Sequence, residues 1–299
     1  MRLDNFDLNL LVVFEILLEE RSVTRAAKRL NVTQPAISAA LKRLRESFQD
    51  ELLVLHGKKM IPTQHALTLA PEVSAELVRL KGLLATSTRF DPKTSRRRFE
   101  INASDYITTV LLVPLVEALQ EKAPGIRLNL SLPDAESRNR LESGEIDLIL
   151  TPDEFMHGEH PRELLFEERH VVVGWRGNPR MEGGISLDEF LYSGHVIVRI
   201  SGQDTFIEAI LRKRFPQRHI EVAAQSFIQV PWLLRGTKRL AVMHERLAKV
   251  TAPLLDLSIA EPPMDLQPMR EMMQHHSTRV QDAGLTWLRS QIKQLAAQT

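Results

Sequence analysis

Hydrophobic residues near the start of the chain recur every three or four positions, which places them on one face of a helix. The spacing predicts helices over 8–18, 23–30 and about 34–48. Residues 31–33, Asn-Val-Thr, interrupt the pattern, because Asn tolerates the left-handed conformation and Thr caps helices well. Pro35 fits the first turn of the helix that follows. The chain therefore begins with a helix followed by two further helices joined by a tight turn.

Two short apolar stretches, 52–55 and 60–61, flank a basic turn at 56–59 and predict a small hairpin, or wing. A longer helix then carries apolar residues at alternating intervals of four and three, a heptad seam over nearly three repeats. The seam comprises Ala66, Ala70, Val73, Leu77, Leu80 and Leu84. We interpret it as a dimer interface, although an amphipathic helix packing on its own domain would show the same pattern. The polar, basic stretch 90–98 then reads as a linker.

Beyond this linker, short apolar runs alternate with helical patterns, which indicates an α/β fold. We expect strands at 99–103, 127–132, 147–150, 170–175, 195–200, 220–224 and 240–243. Helices are expected at 107–121, 136–143, 187–192, 204–215, 228–234 and 281–295. This number of elements favours two small α/β lobes over one large sheet.

Composition changes this picture at one place. The 299 residues include 39 Lys and Arg against 38 Asp and Glu, so the whole chain is no polycation. Residues 21–45, however, hold seven Lys or Arg and no Asp or Glu. A charge run of this kind is often only a solvated helix face. Here it coincides with two short helices, a tight turn and a basic hairpin, and together these predict a winged helix-turn-helix that binds double-stranded DNA.

In this interpretation the third helix enters the major groove and presents its N-terminal end to the base edges. Hydroxyl, amide and methyl groups can read those edges. The predicted reading residues are Thr33, Gln34, Pro35, Ala36 and Ser38. Basic side chains would contact phosphates and set the register without reading sequence. The predicted phosphate contacts are Arg25, Lys42, Arg43, Arg45, Lys58 and Lys59.

Several classes of chemistry are disfavoured by what the sequence lacks. The absence of cysteine excludes disulfides and thiolate chemistry and fits a reducing cytosol. No signal-peptide pattern and no run of 18 apolar residues occurs, so we expect a soluble cytoplasmic protein without a membrane partner. Catalytic and nucleotide-binding fingerprints are lacking, and the histidines at 157–160 and 275–276 do not follow a metallohydrolase spacing. We expect no enzymatic activity, no cofactor and no metal.

The residues 7–11, Asp-Leu-Asn-Leu-Leu, and 22–38 together resemble the LysR-type transcriptional regulators. The shared features are a leading helix, the pair Ala26-Ala27, a Leu before the turn, and a Thr-Gln-Pro-Ala-x-Ser start to the reading helix. The opening residues and the Leu44-Arg45 ending resemble the branch of nodulation regulators and regulators of aromatic catabolism. The resemblance covers the whole length. It is specific to about residue 65 and general beyond.

The resemblance implies a winged helix-turn-helix domain over 1–63, a dimerising linker helix over 64–91, and a two-lobed α/β effector domain over 92–299, shaped like a periplasmic binding protein. It implies a ligand in the cleft between the lobes, where helix N-termini favour oxygen-rich groups. The matching positions are Ser104, Asp105, Thr151, Pro152, Ser201, Gly202, Gln203 and Phe227. The hydroxyl residues among them are equally suited to capping helices. Asp105 and Asp204 add negative charge, which leaves a phenolic or neutral aromatic ligand at least as suitable as an anion.

The expected function is that of a ligand-responsive bacterial transcriptional regulator of the activator type. It would bind an interrupted inverted repeat as a homodimer or homotetramer, respond to an aromatic or phenolic co-inducer, and act with RNA polymerase. One alternative is a ligand-independent DNA-binding regulator or architectural protein. Another, an enzyme with an appended DNA-binding module, is disfavoured by the missing catalytic motifs.

Overall fold

The computed structural model describes residues 6–56, 59–86, 90–156 and 158–298. The chain divides into two compact units, Met1–Ser87 with Glu142–Gly144 and Thr88–Leu141 with Glu145–Thr299. Each unit has its own hydrophobic core. Within the described ranges, no helix is long and apolar enough to cross a membrane.

The first unit is a helix-turn-helix followed by a hairpin and a long helix. Its elements are α1 Asn9–Glu20, α2 Val23–Leu30, α3 Gln34–Phe48, β1 Leu53–His56, β2 Lys59–Pro62 and α4 Gln64–Thr86. Ser22 begins α2, because its hydroxyl accepts a hydrogen bond from the backbone N–H of Arg25 at 3.4 Å. Asn31 ends α2 in the left-handed conformation, with φ 55°. Thr33 takes the capping position of α3, but its side chain makes no capping hydrogen bond.

The core of this unit is formed by one face of each helix. Phe14 and Leu17 of α1 and Leu44 of α3 are each 1% exposed or less. Ala26 and Ala27 are buried as well, and their small side chains let α2 approach α1 and α3 closely. The apolar residues of α1, α2 and α3 therefore hold these helices together. The opposite face of α3 does not take part in the core.

The heptad seam of α4 is used within the chain over part of its length. Ala66, Val73 and Leu77 are buried in one cluster with residues of α1 and α3. The hydroxyl of Ser74 also hydrogen-bonds the carboxylate of Glu15. These contacts match the alternative of a helix packing on its own domain. Dimerisation through α4 stays a prediction, and the side chain of Leu84 lies outside the described residues.

The second unit is an α/β structure in which strands and helices alternate. Its strands are β3 Arg98–Ala103, β4 Arg127–Ser131, β5 Leu148–Pro152, β6 Arg162–Glu168, β7 His170–Trp175, β8 Gly194–Ile200, β9 Gln203–Asp204, β10 His219–Ala224, β11 Leu240–His244, β12 Leu257–Ala260 and β13 Met269–Gln274. Its helices are α5 Asp105–Ile107, α6 Val113–Lys122, α7 Ser137–Glu142, α8 Leu187–Leu191, α9 Phe206–Arg214, α10 Val230–Leu234, α11 Glu245–Leu255 and α12 Ala283–Ala296. A π-helical turn, Thr108–Leu112, joins α5 to α6.

The strands form two sheets, and each sheet is the centre of one lobe. The first lobe has the strand order β4-β3-β5-β13-β6, and the second has β10-β8-β11-β7-β12 with β9 paired to β8. The chain passes from the first lobe to the second between β6 and β7, and returns between β12 and β13. This arrangement confirms the two-lobed α/β expectation.

Among the strands that sequence reasoning found, β7 has the buried, β-branched run that made it recognisable. Val171, Val172 and Val173 of β7 are each 2% exposed or less, as expected for a strand covered on both faces. Four strands were missed, namely β6, β9, β12 and β13, together with helix α11. In β6 and β13 charged residues interrupt the apolar positions, so neither period dominates. The helix predicted from 204 begins only at Phe206, because Gln203–Asp204 pair with β8.

Candidate functional sites

The N-terminal end of α3 is open to solvent. The inner face of α3 is held in the core by Ile37, Leu41 and Leu44, which are 2%, 5% and 0% exposed. The predicted reading residues lie on the remaining face and are all exposed: Thr33, Gln34, Pro35, Ala36 and Ser38. The hydroxyl of Thr33 makes no capping hydrogen bond to the backbone of α3, so capping does not occupy it. The end of α3 is therefore accessible, and its contact with DNA stays a prediction.

Three of the predicted phosphate contacts have exposed side chains with surface ion pairs. Nζ of Lys42 lies 3.9 Å from Glu46, Nη1 of Arg43 lies 3.6 Å from Asp7, and Arg25 pairs with Glu20. Exposed pairs of this kind are worth at most about 1 kcal/mol. They are therefore easily exchanged for a phosphate.

Arg45 is engaged inside the protein, unlike its predicted role. Its Nε donates to the carbonyl of Glu51 at 2.8 Å, and Nη2 donates to the carbonyl of Leu53 at 2.7 Å. These bonds fix the segment that leads from α3 into the hairpin. Lys58 lies outside the described residues. For Lys59 the structure describes only the backbone, which belongs to β2.

A cavity of about 370 Å³ lies between the two lobes of the second unit. The carboxyl ends of β3, β5 and β8 open into it, which is where α/β proteins commonly bind ligands. Its lining is largely apolar and aromatic with interspersed polar groups. The lining residues are Asn102, Ser104, Tyr106, Pro133, Asp134, Ala135, Ser137, Ile149, Thr151, Pro152, Phe155, Ile200, Ser201, Gln203, Asp204, Thr205, Phe206, Ile207, Phe227, His244, Met269 and Glu271.

Most of the predicted effector positions line this cavity. They are Ser104, Thr151, Pro152, Ser201, Gln203 and Phe227. Ser104 also caps α5, accepting from the N–H of Ile107 at 3.2 Å, and its contact with an effector stays a prediction. Gly202 is not among the lining residues, because it forms the turn before β9 with φ 77°.

Asp105 is not among the lining residues either, and its carboxylate joins the two lobes. It accepts hydrogen bonds from the hydroxyl of Ser226 at 2.5 Å, from the N–H of Phe227 at 3.2 Å and from the N–H of Ile228 at 3.3 Å. Asp105 follows β3 of the first lobe, whereas these donors follow β10 of the second. The predicted effector contact is therefore replaced by a connection between lobes.

Asp204 does line the cavity, but two arginines balance its charge. Nε of Arg199 lies 3.0 Å from one carboxylate oxygen, and Nη2 of Arg212 lies 2.7 Å from the other. Lys and Arg are both absent from the cavity lining, which falls entirely in described parts of the chain. The cavity thus contains carboxyl groups and no cationic side chain to bind an anion.

Tyr106, which lines the cavity, belongs to a polar group that sequence reasoning missed. The phenol of Tyr106 donates to Oε2 of Glu168 at 2.6 Å, and Nη1 of Arg246 donates to the same oxygen at 2.6 Å. The ring of Tyr106 stacks on that of His244, with centroids 3.8 Å apart and planes within 5°. Phe227 meets His244 edge-on at 4.9 Å. These aromatic rings provide a flat apolar wall.

Titratable groups around this wall are held in their neutral forms by burial. Burial, with the nearby Glu168, raises the pKa of Glu271 and of Tyr106 well above their ordinary values. Burial lowers the pKa of His244 well below its ordinary value and that of His170 to about 4. The side chains of Glu271, Tyr106 and His244 therefore line the cavity in their uncharged forms.

The comparisons with known proteins agree with both parts of the structure. Residues 8–67 match the model of the bacterial regulatory helix-turn-helix proteins of the lysR family. Residues 92–297 match the LysR substrate binding domain. The chain belongs to the LysR family of transcriptional regulators. As in that family, it combines a DNA-binding helix-turn-helix domain with an effector-binding domain.

Curated relatives and solved structures cover nearly the whole chain. Nodulation protein D 2 of Rhizobium tropici is 37% identical over 99% of this chain and 95% of its own length. Nodulation protein D 3 of Rhizobium leguminosarum bv. phaseoli is 34% identical over 99% of both. The probable transcriptional regulator PA0477 from Pseudomonas aeruginosa is 33% identical with a TM-score of 0.66, over 98% of both chains. A full-length OxyR variant from Pseudomonas aeruginosa, 18% identical, shares the fold with a TM-score of 0.73 over 97% of this chain and 95% of its own.

Proposed function

We propose that this LysR-family regulator binds an interrupted inverted repeat in promoter DNA and changes transcription when a small aromatic or phenolic co-inducer occupies the cavity between the lobes. It would act in the cytoplasm as a dimer or tetramer together with RNA polymerase. The observation that carries the proposal is the convergence of Ser104, Thr151 and Gln203, singled out from the sequence, on one cavity with an aromatic wall.

The chemistry of the cavity supports an aromatic ligand. The rings of Tyr106, His244 and Phe227 line the cavity and offer aromatic contact to a planar molecule. Hydroxyl and amide groups of Ser104, Thr151 and Gln203 offer hydrogen bonds to its substituents. A volume of about 370 Å³ is in the range of small-molecule sites.

Coupling to DNA requires that the lobes change their arrangement when the ligand binds. The connection between Asp105 and Ser226 crosses from one lobe to the other beside the cavity. A ligand that favours one lobe arrangement over another biases this equilibrium, with coupling of about 1–3 kcal/mol being typical of allostery. The altered spacing of the DNA-binding units then changes the bend of the promoter.

The test is binding of the full-length protein to the DNA upstream of its own gene at several salt concentrations. Phenols, chlorinated aromatics, flavonoids and aromatic acids are added in turn. A footprint or bend that changes with one compound is the expected result. Specific binding that no compound alters would favour the ligand-independent regulator, and the absence of specific binding would contradict the proposal.

A further inference from the structure

Glu271 is a buried carboxyl group at the base of the cavity. It lies on β13, an internal strand of the first lobe's sheet, opposite Pro152 of β5 and Phe166 of β6. The side chain lines the cavity although the residue is only 1% exposed. Its Oε1 has no hydrogen-bond partner among the described residues. A buried polar atom without a partner destabilises the protein until a partner is supplied.

The neighbouring carboxyl group, Glu168, differs because it is fully partnered. It accepts from Tyr106, from Nη1 of Arg246 and, at 3.1 Å, from the backbone N–H of Arg246. The cation of Arg246 thus balances the charge of Glu168. No ion pair reaches Glu271 in the described chain, and two nearby carboxylates, Glu168 and Glu154, oppose its ionisation. Burial and these two neighbours raise the pKa of Glu271 well above its ordinary value.

We propose that Glu271, in its protonated form, donates a hydrogen bond to an acceptor oxygen of the effector, and that the cavity therefore selects uncharged effectors and rejects carboxylates. This inference rests on the proposed effector role of the cavity. A protonated carboxyl has an O–H donor that an ionised one lacks. A neutral carbonyl or phenol oxygen satisfies that donor, and the flat wall of Tyr106 and His244 receives the attached ring.

Rejection of anions follows from the lack of a cation in the described lining. Asp134 and Asp204 line the cavity with Glu271, and no Lys or Arg lines it in the described chain. His244 is neutral, because burial and the nearby His170 lower its pKa. A ligand carboxylate would lose its water without a cation in the cavity lining to offset that loss.

The first experiment asks whether Glu271 is protonated. Infrared spectra of the full-length protein at pH 7 are compared for the wild type, E271Q and E167Q. The control residue Glu167 is an exposed carboxylate on β6. We expect the C=O stretch of a protonated carboxylic acid in the wild type and E167Q, and its loss in E271Q. A wild-type spectrum without this band, or one that E271Q leaves unchanged, would overturn the proposal.

The second experiment measures binding of three probes of similar size by calorimetry, without DNA. They are 4-hydroxybenzamide, 4-hydroxybenzoate and 4-hydroxybenzylamine, which are neutral, anionic and cationic. We expect the amide to bind at least about tenfold more tightly than either ion. E271L removes the donor and should weaken amide binding about tenfold, whereas E271Q, which keeps an N–H donor, should stay within about threefold.

Several outcomes would contradict this recognition. Tighter binding of the benzoate or the benzylamine, equal amide binding by E271L and the wild type, or no amide binding at all would each overturn it. Failure of the proposed function looks different. A protein that binds the amide through Glu271 but never changes its DNA footprint would contradict regulation and leave the recognition of uncharged ligands intact.

Discussion

The phenol of Tyr106 donates a 2.6 Å hydrogen bond to Oε2 of Glu168, and both residues are essentially buried. Tyr106 comes from α5 of the first lobe, directly after β3. Glu168 ends β6, where the chain leaves that lobe for the second. This bond and the stacking of Tyr106 on His244 of β11 therefore place one aromatic side chain at the junction of the two lobes.

Replacing Tyr106 with Phe should destabilise the protein while leaving the aromatic wall in place. The variant keeps the ring that stacks on His244 but removes the donor from a buried carboxylate, which costs about 1–3 kcal/mol. Urea unfolding of the full-length protein measures the loss. Y192F is the matched control, because Tyr192 is 81% exposed. Equal stability of Y106F and the wild type would show that the bond contributes nothing.

Disruption of the link between Asp105 and Ser226 should be non-additive. D105N weakens the acceptor and S226A removes a donor, so the double variant should lose less stability than the sum of the two single variants. We expect a coupling of about 1–2 kcal/mol, because the bond is charge-assisted. Urea unfolding of the four proteins gives this value. Strict additivity would mean that the two side chains act independently and that this link does not join the lobes.

Variants of Gln34 and Arg43 should show different defects, because Gln34 is predicted to read the DNA sequence and Arg43 to contact phosphate. Q34A removes an exposed amide at the reading end of α3 and should relax sequence choice. R43A should weaken binding to all sequences and lower the salt dependence by about one unit of slope. R138A, an exposed arginine of the other unit, is the control and should change neither property. Equal losses by Q34A and R43A at every base would contradict the assigned roles.

Arg45 should behave differently from Arg43 although both are arginines of α3. R45A leaves the carbonyls of Glu51 and Leu53 without their donor. We expect a loss of about 1–2 kcal/mol in stability, with the salt slope of DNA binding unchanged. Thermal unfolding measures the loss of stability, and the same DNA titrations measure the salt slope. If R45A lowered the salt slope of DNA binding and left the stability unchanged, Arg45 would be a phosphate contact after all.

The first unit could be predicted from the sequence because its signals are local. A helical period, the cap at Ser22 and the left-handed Asn31 set the bounds of α2 within the chain itself. The role of Arg45 could not be predicted in this way. Its partners are backbone carbonyls that only the turn into the hairpin brings within reach, whereas the sequence shows only one more positive charge in a basic stretch.

The cavity could be predicted only where its residues follow predicted strands. Ser104 and Thr151 stand at strand ends, so the topology places them together. Glu271 and Glu168 lie on β13 and β6, where charged and apolar residues mix and no period stands out. Their burial depends on antiparallel pairing between strands about 100 residues apart in sequence. No local pattern carries that information, so the polar base of the cavity emerges only from the fold.

The stability of the protein should fall as the pH is lowered from about 6.5 towards 4. Burial lowers the pKa of His170, His195 and His275 from 6.5 to about 4. Between these values the unfolded chain binds more protons than the folded one, so each histidine removes about 1.4 kcal/mol of stability per pH unit as the pH falls. Above pH 6.5 this contribution is fully present. The raised pKa of Glu271 acts in the opposite direction, because its neutral form is favoured as the pH falls.

A single variant isolates one of these contributions. H170F replaces a buried ring whose two nitrogens have no hydrogen-bond partner among the described residues. The acid side of its stability curve should be less steep by up to about 1.4 kcal/mol per pH unit. H219N, which changes an exposed histidine, should follow the wild type. Urea unfolding between pH 4 and 8 measures all three proteins. An unchanged slope in H170F would mean that His170 does not take up a proton on unfolding in this range, and that its burial leaves its pKa near 6.5.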